Sequence, residues 1–233
     1  MRLVEMPSPN CDARTAPVDM LVLHYTGMKT GQEALARLTN PASKVSAHYT
    51  IDRDGRIFRH VPEDMRAWHA GVSYWAGETN VNGRSIGIEI VNPGHEFGYI
   101  PFAEPQIAAL IDLCDGIFKR HKIPPARVVA HSDVAPARKE DPGELFPWKQ
   151  VAEYGIGAWP SPPPRGEVAR DSARVGGDFA AALSRFGYGV PATVDVPMEK
   201  VITAFQRHFR PEKLDGQWDA QCDGILTALN AAL

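Results

Sequence analysis

The sequence predicts an α/β protein with a mixed central β-sheet flanked by helices, followed by a small C-terminal three-helix bundle. Three observations carry that expectation. Short branched apolar runs at 20–26, 85–91 and 128–130 recur between segments of helical spacing. The dipeptide Asp54-Gly55 sits between two strand-like runs, a strong hairpin signal. A proline-rich stretch, 159–165, then separates this part from three helix-sized segments.

In chain order, residues 1–17 carry prolines at 7, 9 and 17 and read as an irregular arm. Residues 20–26 make a buried strand near whose end His24 lies, and Gly27 breaks it. Residues 31–38 are good helix formers that close at Asn40-Pro41. The hairpin pairs 46–51 with 56–60. Residues 62–81 are dense in Trp68, His69, Tyr74, Trp75 and glycine without a period, which reads as a binding loop. In 85–91, Ile86, Ile88 and Ile90 share one parity, and Gly87 and Glu89 the other. A carboxylate in the middle of such a strand needs a reason.

From Pro105 to Arg120, apolar residues at 107, 110, 111, 114, 117 and 118 follow the helical period. Lys119, Arg120 and His121 lie at the negative end of its dipole, and Pro124-Pro125 stop it. Residues 128–130 form a last strand that delivers the loop 130–148. Beyond the connector, 178–186, 198–209 and 218–233 read as helices with glycine-containing turns between them. The expected division is 1–158 as one domain, 159–175 as linker and 176–233 as the second domain.

Composition narrows the function. At 233 residues the chain can bury one good core and a small second module. Its 44% hydrophobic and 23% charged residues are those of an ordinary globular protein, and a net charge of -3 offers no basic field for nucleic acid. Cys11, Cys114 and Cys222 form no CxxC pair, which speaks against a disulfide framework or a cysteine zinc knuckle; Cys114 reads as a small buried hydrophobe. The first residues lack the apolar core of a signal peptide, and no run approaches the ~20 apolar residues of a membrane span. The expectation is a cytoplasmic protein, with a periplasmic or cell-wall site reserved for a chain whose leader has been trimmed.

Four polar residues stand out. His24 and Glu89 lie on candidate strands, His131 follows one, and Asp141 lies in the loop after it. On strands lying side by side, these positions can converge on one edge of the sheet. Two histidines and a carboxylate are ordinary zinc ligands that leave a fourth position for water, and a second carboxylate beside them could take its proton. Lys139 would add a cation where an oxyanion forms. Each residue alone also fits a satisfied core or surface role.

Five motifs occur in order: Leu-His-Tyr-Thr26, Val-Ser-Ala-His-Tyr-Thr-Ile-Asp-Arg-Asp-Gly55, Ala-Trp-His-Ala-Gly71, Ser-Ile-Gly-Ile-Glu-Ile-Val-Asn-Pro-Gly94 and Ala-His-Ser-Asp-Val-Ala-Pro-Ala-Arg-Lys-Glu-Asp-Pro-Gly143. Over the first two thirds of its length the chain thereby resembles the type-2 amidases. These are zinc N-acetylmuramoyl-L-alanine amidases that include AmpD-like enzymes and peptidoglycan recognition proteins. The resemblance implies His24, His131 and Asp141 as Zn2+ ligands, Glu89 as general base and Lys139 as oxyanion partner. Some phage members have cysteine as third ligand and a catalytic tyrosine before the second motif's histidine; Asp141 and Ala47 stand there in this chain.

The implied reaction is cleavage of the amide between the lactyl group of N-acetylmuramic acid and L-alanine, in peptidoglycan or muropeptides. The competing reading is a non-catalytic peptidoglycan recognition module. Trp68, His69, Trp75 and Asn82 are candidates for holding substrate, while His48 and His60 read as structural. The segment 176–233 resembles the peptidoglycan-binding domain found beside cell-wall hydrolases, with Phe205 and Phe209 as a core stripe.

Overall fold

A computed structural model describes residues 3–160 and 178–233. Most of the expected linker, 161–175, lies outside the described residues.

The strands are β1 (Leu3–Glu5), β2 (Cys11–Ala13), β3 (Met20–Tyr25), β4 (Tyr49–Ile51), β5 (Ile57–Arg59), β6 (Met65–Ala67), β7 (Ser85–Ile90) and β8 (Val128–Ala130). The helices are α1 (Gly31–Thr39), α2 (Val81–Arg84), α3 (Gly94–Phe97), α4 (Glu104–Arg120), α5 (His131–Val134), α6 (Trp148–Ala152), α7 (Phe179–Phe186), α8 (Met198–Phe209) and α9 (Ala220–Ala231). Six strands form one sheet in the order β1-β5-β4-β7-β3-β8, and β2 pairs with β6 apart from it. Among the described residues, only the β4–β5 hairpin is antiparallel within the large sheet. The sheet is mixed, as the sequence predicts.

Strand periodicity sorts the core into two. Leu21, Leu23, Ile86, Ile88, Ile90 and Val128 face α4, which buries Ile107, Leu110, Leu113, Cys114 and Ile117 against them. Each such aliphatic side chain contributes roughly 1.5–3 kcal/mol on burial. Met20, Val22 and Val129 point the other way and share a core with Val134, Trp75 and the C-terminal helices, through Phe186, Tyr188, Phe205 and Phe209. The C-terminal helices therefore cover the second face of the sheet. Phe205 and Phe209 are core residues, as their spacing implies.

The opening segment departs from the expected irregular arm. β1 adds to the sheet beside β5, and β2 pairs with β6 inside what reads as a loop. Strands of only three residues carry no periodic signal; long-range pairing makes them. Arg14 fastens the arm by donating to the carbonyls of Glu63, Met65 and Gly83. Likewise the expected loop 130–148 begins as the helical turn α5. No helix among the described residues is long and apolar enough to cross a membrane.

Glu63 joins the arm's neighbourhood to the end of α4. It accepts hydrogen bonds from Tyr49 (2.7 Å), Arg120 (2.7 and 3.0 Å) and His121 (2.7 Å). Burial alone would raise its pKa, but these donors outweigh it and hold the carboxyl at about 2, against 4.5 for a free glutamate. A depressed carboxylate stabilises the fold above its unfolded pKa, and that contribution is lost as pH falls through the folded value. The thermal midpoint should therefore drop between about pH 4.5 and pH 2 in the natural chain, and drop less steeply in Glu63→Gln. Superimposable pH–stability curves for the two proteins would assign the acid sensitivity elsewhere.

Candidate metal centre and active site

β7, β3 and β8 are adjacent and parallel, so their C-terminal ends share one edge of the sheet. His24 pairs in register with Glu89, which sets the two side chains on the same face. Leu23 pairs with Ala130, so the next residue, His131, leaves the neighbouring strand at the same level. Asp141 is brought back by a backbone tie, Ser132 N–H to its carbonyl at 2.9 Å. Gly87, one pleat before Glu89, leaves space for the His69 ring, which a Cβ there would strike.

Three ligand-type atoms converge. His24 Nδ1 lies 2.9 Å from His131 Nδ1 and 2.9 Å from Asp141 Oδ2, and His131 Nδ1 lies 3.0 Å from that oxygen. All three residues are buried. The hydrogen bonds behind them decide which ring nitrogens carry protons. Ser85 Oγ–H donates to the Val81 carbonyl (2.7 Å), so it accepts from His69 Nε2 (3.1 Å). His69 Nδ1 is then an acceptor, 3.0 Å from His24 Nε2–H. His131 Nε2–H donates to the Ala70 carbonyl at 3.0 Å. Both Nδ1 atoms are thus left with bare lone pairs aimed at the same point as the carboxylate oxygen.

Electrostatics agree with that assignment. Burial, with His131 beside it, pushes His24 down to about 4, so its imidazole is neutral near pH 7. Burial acts to raise Asp141, and imidazoles that donated to it or carried charge would hold it well below the usual carboxylate range; with both Nδ1 atoms bare, that part falls to a bound cation. Two lone pairs and a carboxylate, buried and about 3 Å apart, form a nest of acceptors without a donor between them. A small cation resolves that repulsion. Tetrahedral zinc with bonds of about 2.0 Å would hold its ligands about 3.3 Å apart, close to the edges seen. The donor set fits a divalent metal, and three protein ligands leave a position open.

Glu89 lies in the same cleft of about 690 Å³, and its Oε2 is buried without a hydrogen-bond partner. Burial, reinforced by Asp141, raises its pKa well above the ordinary value, and Lys139 acts against that. A cation among the ligands would act in the same direction as Lys139 and favour the carboxylate. Lys139 also lines the cleft, with Lys29, Arg37 and Arg138.

The remaining sequence candidates divide. Trp68 is half-buried in the cleft wall, where its ring is available to a ligand. His69 reaches the cleft, but both its nitrogens are spent on His24 and Ser85, so it supports His24 rather than offering a polar face. Trp75 is not in the groove: it is 1% exposed, edge-on to Phe186 and Tyr188 in the core. Asn82 is also spent internally, its Oδ1 accepting from the backbone N–H of His69 and Ala70. It shapes the loop that carries Ala70. His48 takes the Gly87 N–H and His60 binds Thr50 and Met6, both structural roles. Ser85 was missed; its signal is a hydroxyl on the same strand parity as Glu89.

The chain matches, over residues 14–144, the family described as N-acetylmuramoyl-L-alanine amidase. It is 42% identical over 235 residues to the N-acetylmuramoyl-L-alanine amidase AmiD of Escherichia coli, across 91% of this chain and 82% of that protein. A solved AmiD structure from E. coli, in complex with the substrate anhydro-N-acetylmuramic acid-L-Ala-D-gamma-Glu-L-Lys, superposes with a TM-score of 0.79. Its identity is 39%, covering 95% of this chain and 92% of that one. AmpDh3 from Pseudomonas aeruginosa, in complex with anhydromuramic pentapeptide, gives a TM-score of 0.84 at 40% identity, covering 92% of each chain.

Two outcomes follow from the ligand geometry. Chelation should lower the thermal midpoint, and added zinc should restore it, since a metal that binds only the folded state stabilises that state. His69→Phe keeps a ring but deletes the acceptor for His24 Nε2–H. It should weaken zinc about 10–100-fold in competition with a chelator. Unchanged affinity would mean that His24 adopts the required tautomer without its neighbour.

Proposed function

Since this chain belongs to the N-acetylmuramoyl-L-alanine amidase family, we propose that it hydrolyses the amide joining the lactyl group of N-acetylmuramic acid to L-alanine of the stem peptide, with muropeptides as substrate. His24, His131 and Asp141 hold a zinc ion in this reading. The observation that carries it is their buried convergence beside a carboxyl oxygen of Glu89 that accepts no hydrogen bond from the protein. Zinc, when bound, supplies Lewis acidity that polarises a carbonyl and acidifies water.

The chain's own residues do the rest. The cleft walls orient the stem peptide so that its first amide lies over the ligand cluster; Trp68 offers an aromatic face to sugar or peptide. Glu89 Oε2 accepts a proton from the attacking water as its oxygen bonds to the lactyl carbon. Lys139 meets the negative charge that develops on the carbonyl oxygen. As the C–N bond breaks, Glu89 returns the proton to the departing L-alanine nitrogen. The products are a lactyl carboxyl group, which keeps the second proton of the water until it passes to the amine or to solvent, and a free stem-peptide amine, and Glu89 is restored.

A binding-only module accounts poorly for Glu89. Leaving a buried carboxyl oxygen without a partner costs about 1–3 kcal/mol, which a recognition surface has no reason to bear and a general base does. The solved relatives hold anhydromuropeptides, and this chain's cleft has the size for a ligand of that class. We further assign the boundaries 1–158, 159–175 and 176–233 to catalytic domain, linker and a peptidoglycan-binding unit. What supports the last is the sequence resemblance of the three helices.

Purified protein with zinc should release stem peptide from anhydromuropeptide, and metal-free protein should not. Glu89→Gln should retain zinc while kcat falls about 10²–10⁴-fold. Lys139→Ala should lower kcat about 10²–10³-fold, since it acts on transition-state charge. Zinc-loaded protein that binds muropeptide without cleaving it would instead establish the recognition module.

A further inference from the structure

Two of the three ligands, His131 and Asp141, lie on one irregular segment, 131–144, which has little regular structure of its own to hold it. Its anchor is Asp133, two residues past His131 and 0% exposed. The Asp133 carboxylate accepts from Ala130 N–H at 2.8 Å, closing the turn locally. Its other two bonds come from the C-terminal part of the chain. Tyr188 O–H reaches Oδ1 at 2.6 Å, and His208 Nδ1 reaches Oδ2 at 2.7 Å. His208 is itself held flat against Trp148, ring centroids 3.8 Å apart.

The preceding residue of α8 grips the far end of the same segment. Arg207 pairs with Glu140 at 3.3 Å and approaches Glu144 at 3.5 Å, on either side of Asp141. A third tie meets the loop that receives His131 Nε2–H. Ala76 N–H donates to the Gly187 carbonyl at 2.8 Å, and Tyr74 N–H to the Val134 carbonyl at 2.8 Å. Gly187 has no side chain because the Trp75 ring occupies the space a Cβ would need.

A helical unit that only bound glycan could bury its apolar side chains on the sheet without donating to a carboxylate beside a metal ligand. We propose that Tyr188 and His208 are positioning residues for the metal centre, reaching from the C-terminal helices to Asp133 to fix the ligand-bearing turn. The C-terminal helices are on this view part of the catalytic unit, whatever else they bind. The inference rests on the amidase reading only for the identity of the metal site. Neither residue touches substrate or metal; both act through Asp133.

The test uses the full chain. Tyr188→Phe removes one oxygen and His208→Leu one donor, while His208→Asn returns an amide N–H near the position of Nδ1. Leu229→Ala, buried between helices in the same core, controls for general loss of stability. Zinc affinity is measured by chelator competition and ligand geometry by the absorption of the cobalt-substituted proteins, alongside kcat, KM and thermal midpoint. Tyr188→Phe and His208→Leu should weaken zinc about tenfold or more, alter the cobalt bands and lower kcat more than they change KM. His208→Asn should recover most of that loss, and Leu229→Ala should lower the midpoint with zinc affinity unchanged. Natural zinc affinity and cobalt spectrum in both Tyr188→Phe and His208→Leu would overturn the proposal. So would a loss of zinc affinity in Leu229→Ala equal to theirs. If the natural chain binds zinc but cleaves no muropeptide, the amidase reading fails, and the zinc and cobalt measurements still decide this proposal.

Discussion

Three acceptors held about 3 Å apart at a buried site repel one another, and the surrounding architecture acts to keep them there. Two imidazole lone pairs and a carboxylate would relax outward if they were free to turn. They are not free. Each imidazole has its other nitrogen committed to a hydrogen bond, His24 to His69 and His131 to the Ala70 carbonyl. The cluster is pre-organised for a cation before one arrives, so little reorganisation remains to oppose binding.

That constraint explains features which look unrelated one by one. Gly87 lacks a side chain so that His69 can lie against the sheet behind His24. Ser85 ends the proton chain on a backbone carbonyl, which fixes its direction. Asn82 holds the backbone that presents Ala70. The C-terminal helices close the second face of the sheet and extend polar groups to Asp133 beside His131. Much of the polar chemistry on this face serves to aim two nitrogens.

The parts that were legible in the sequence are those with a local signature. The α4 stripe, the β4–β5 turn at Asp54-Gly55 and the alternation of β7 each follow from spacing, because one buried face imposes one period. Glu89 stood out as a carboxylate in the middle of a strand. The motifs carried His24, His131 and Asp141, and the fold brings them together. Trp75 went the other way. An aromatic in a glycine-rich segment fits a groove or a core equally well, and the partners that decide it, Phe186 and Tyr188, lie more than a hundred residues on.

By itself, then, the sequence determined the layered α/β class, the main elements and the residues fit for metal and proton chemistry, since each depends on residue type and local period. Tertiary structure decided how those residues are used. It paired β1 and β2 with distant strands, withdrew Trp75 and Asn82 from the cleft and turned His69 from a candidate substrate contact into a support for His24. It also set Tyr188 and His208 against Asp133. A hydrogen-bond direction or a packing partner is a property of atoms brought together from far along the chain, and no local pattern encodes it.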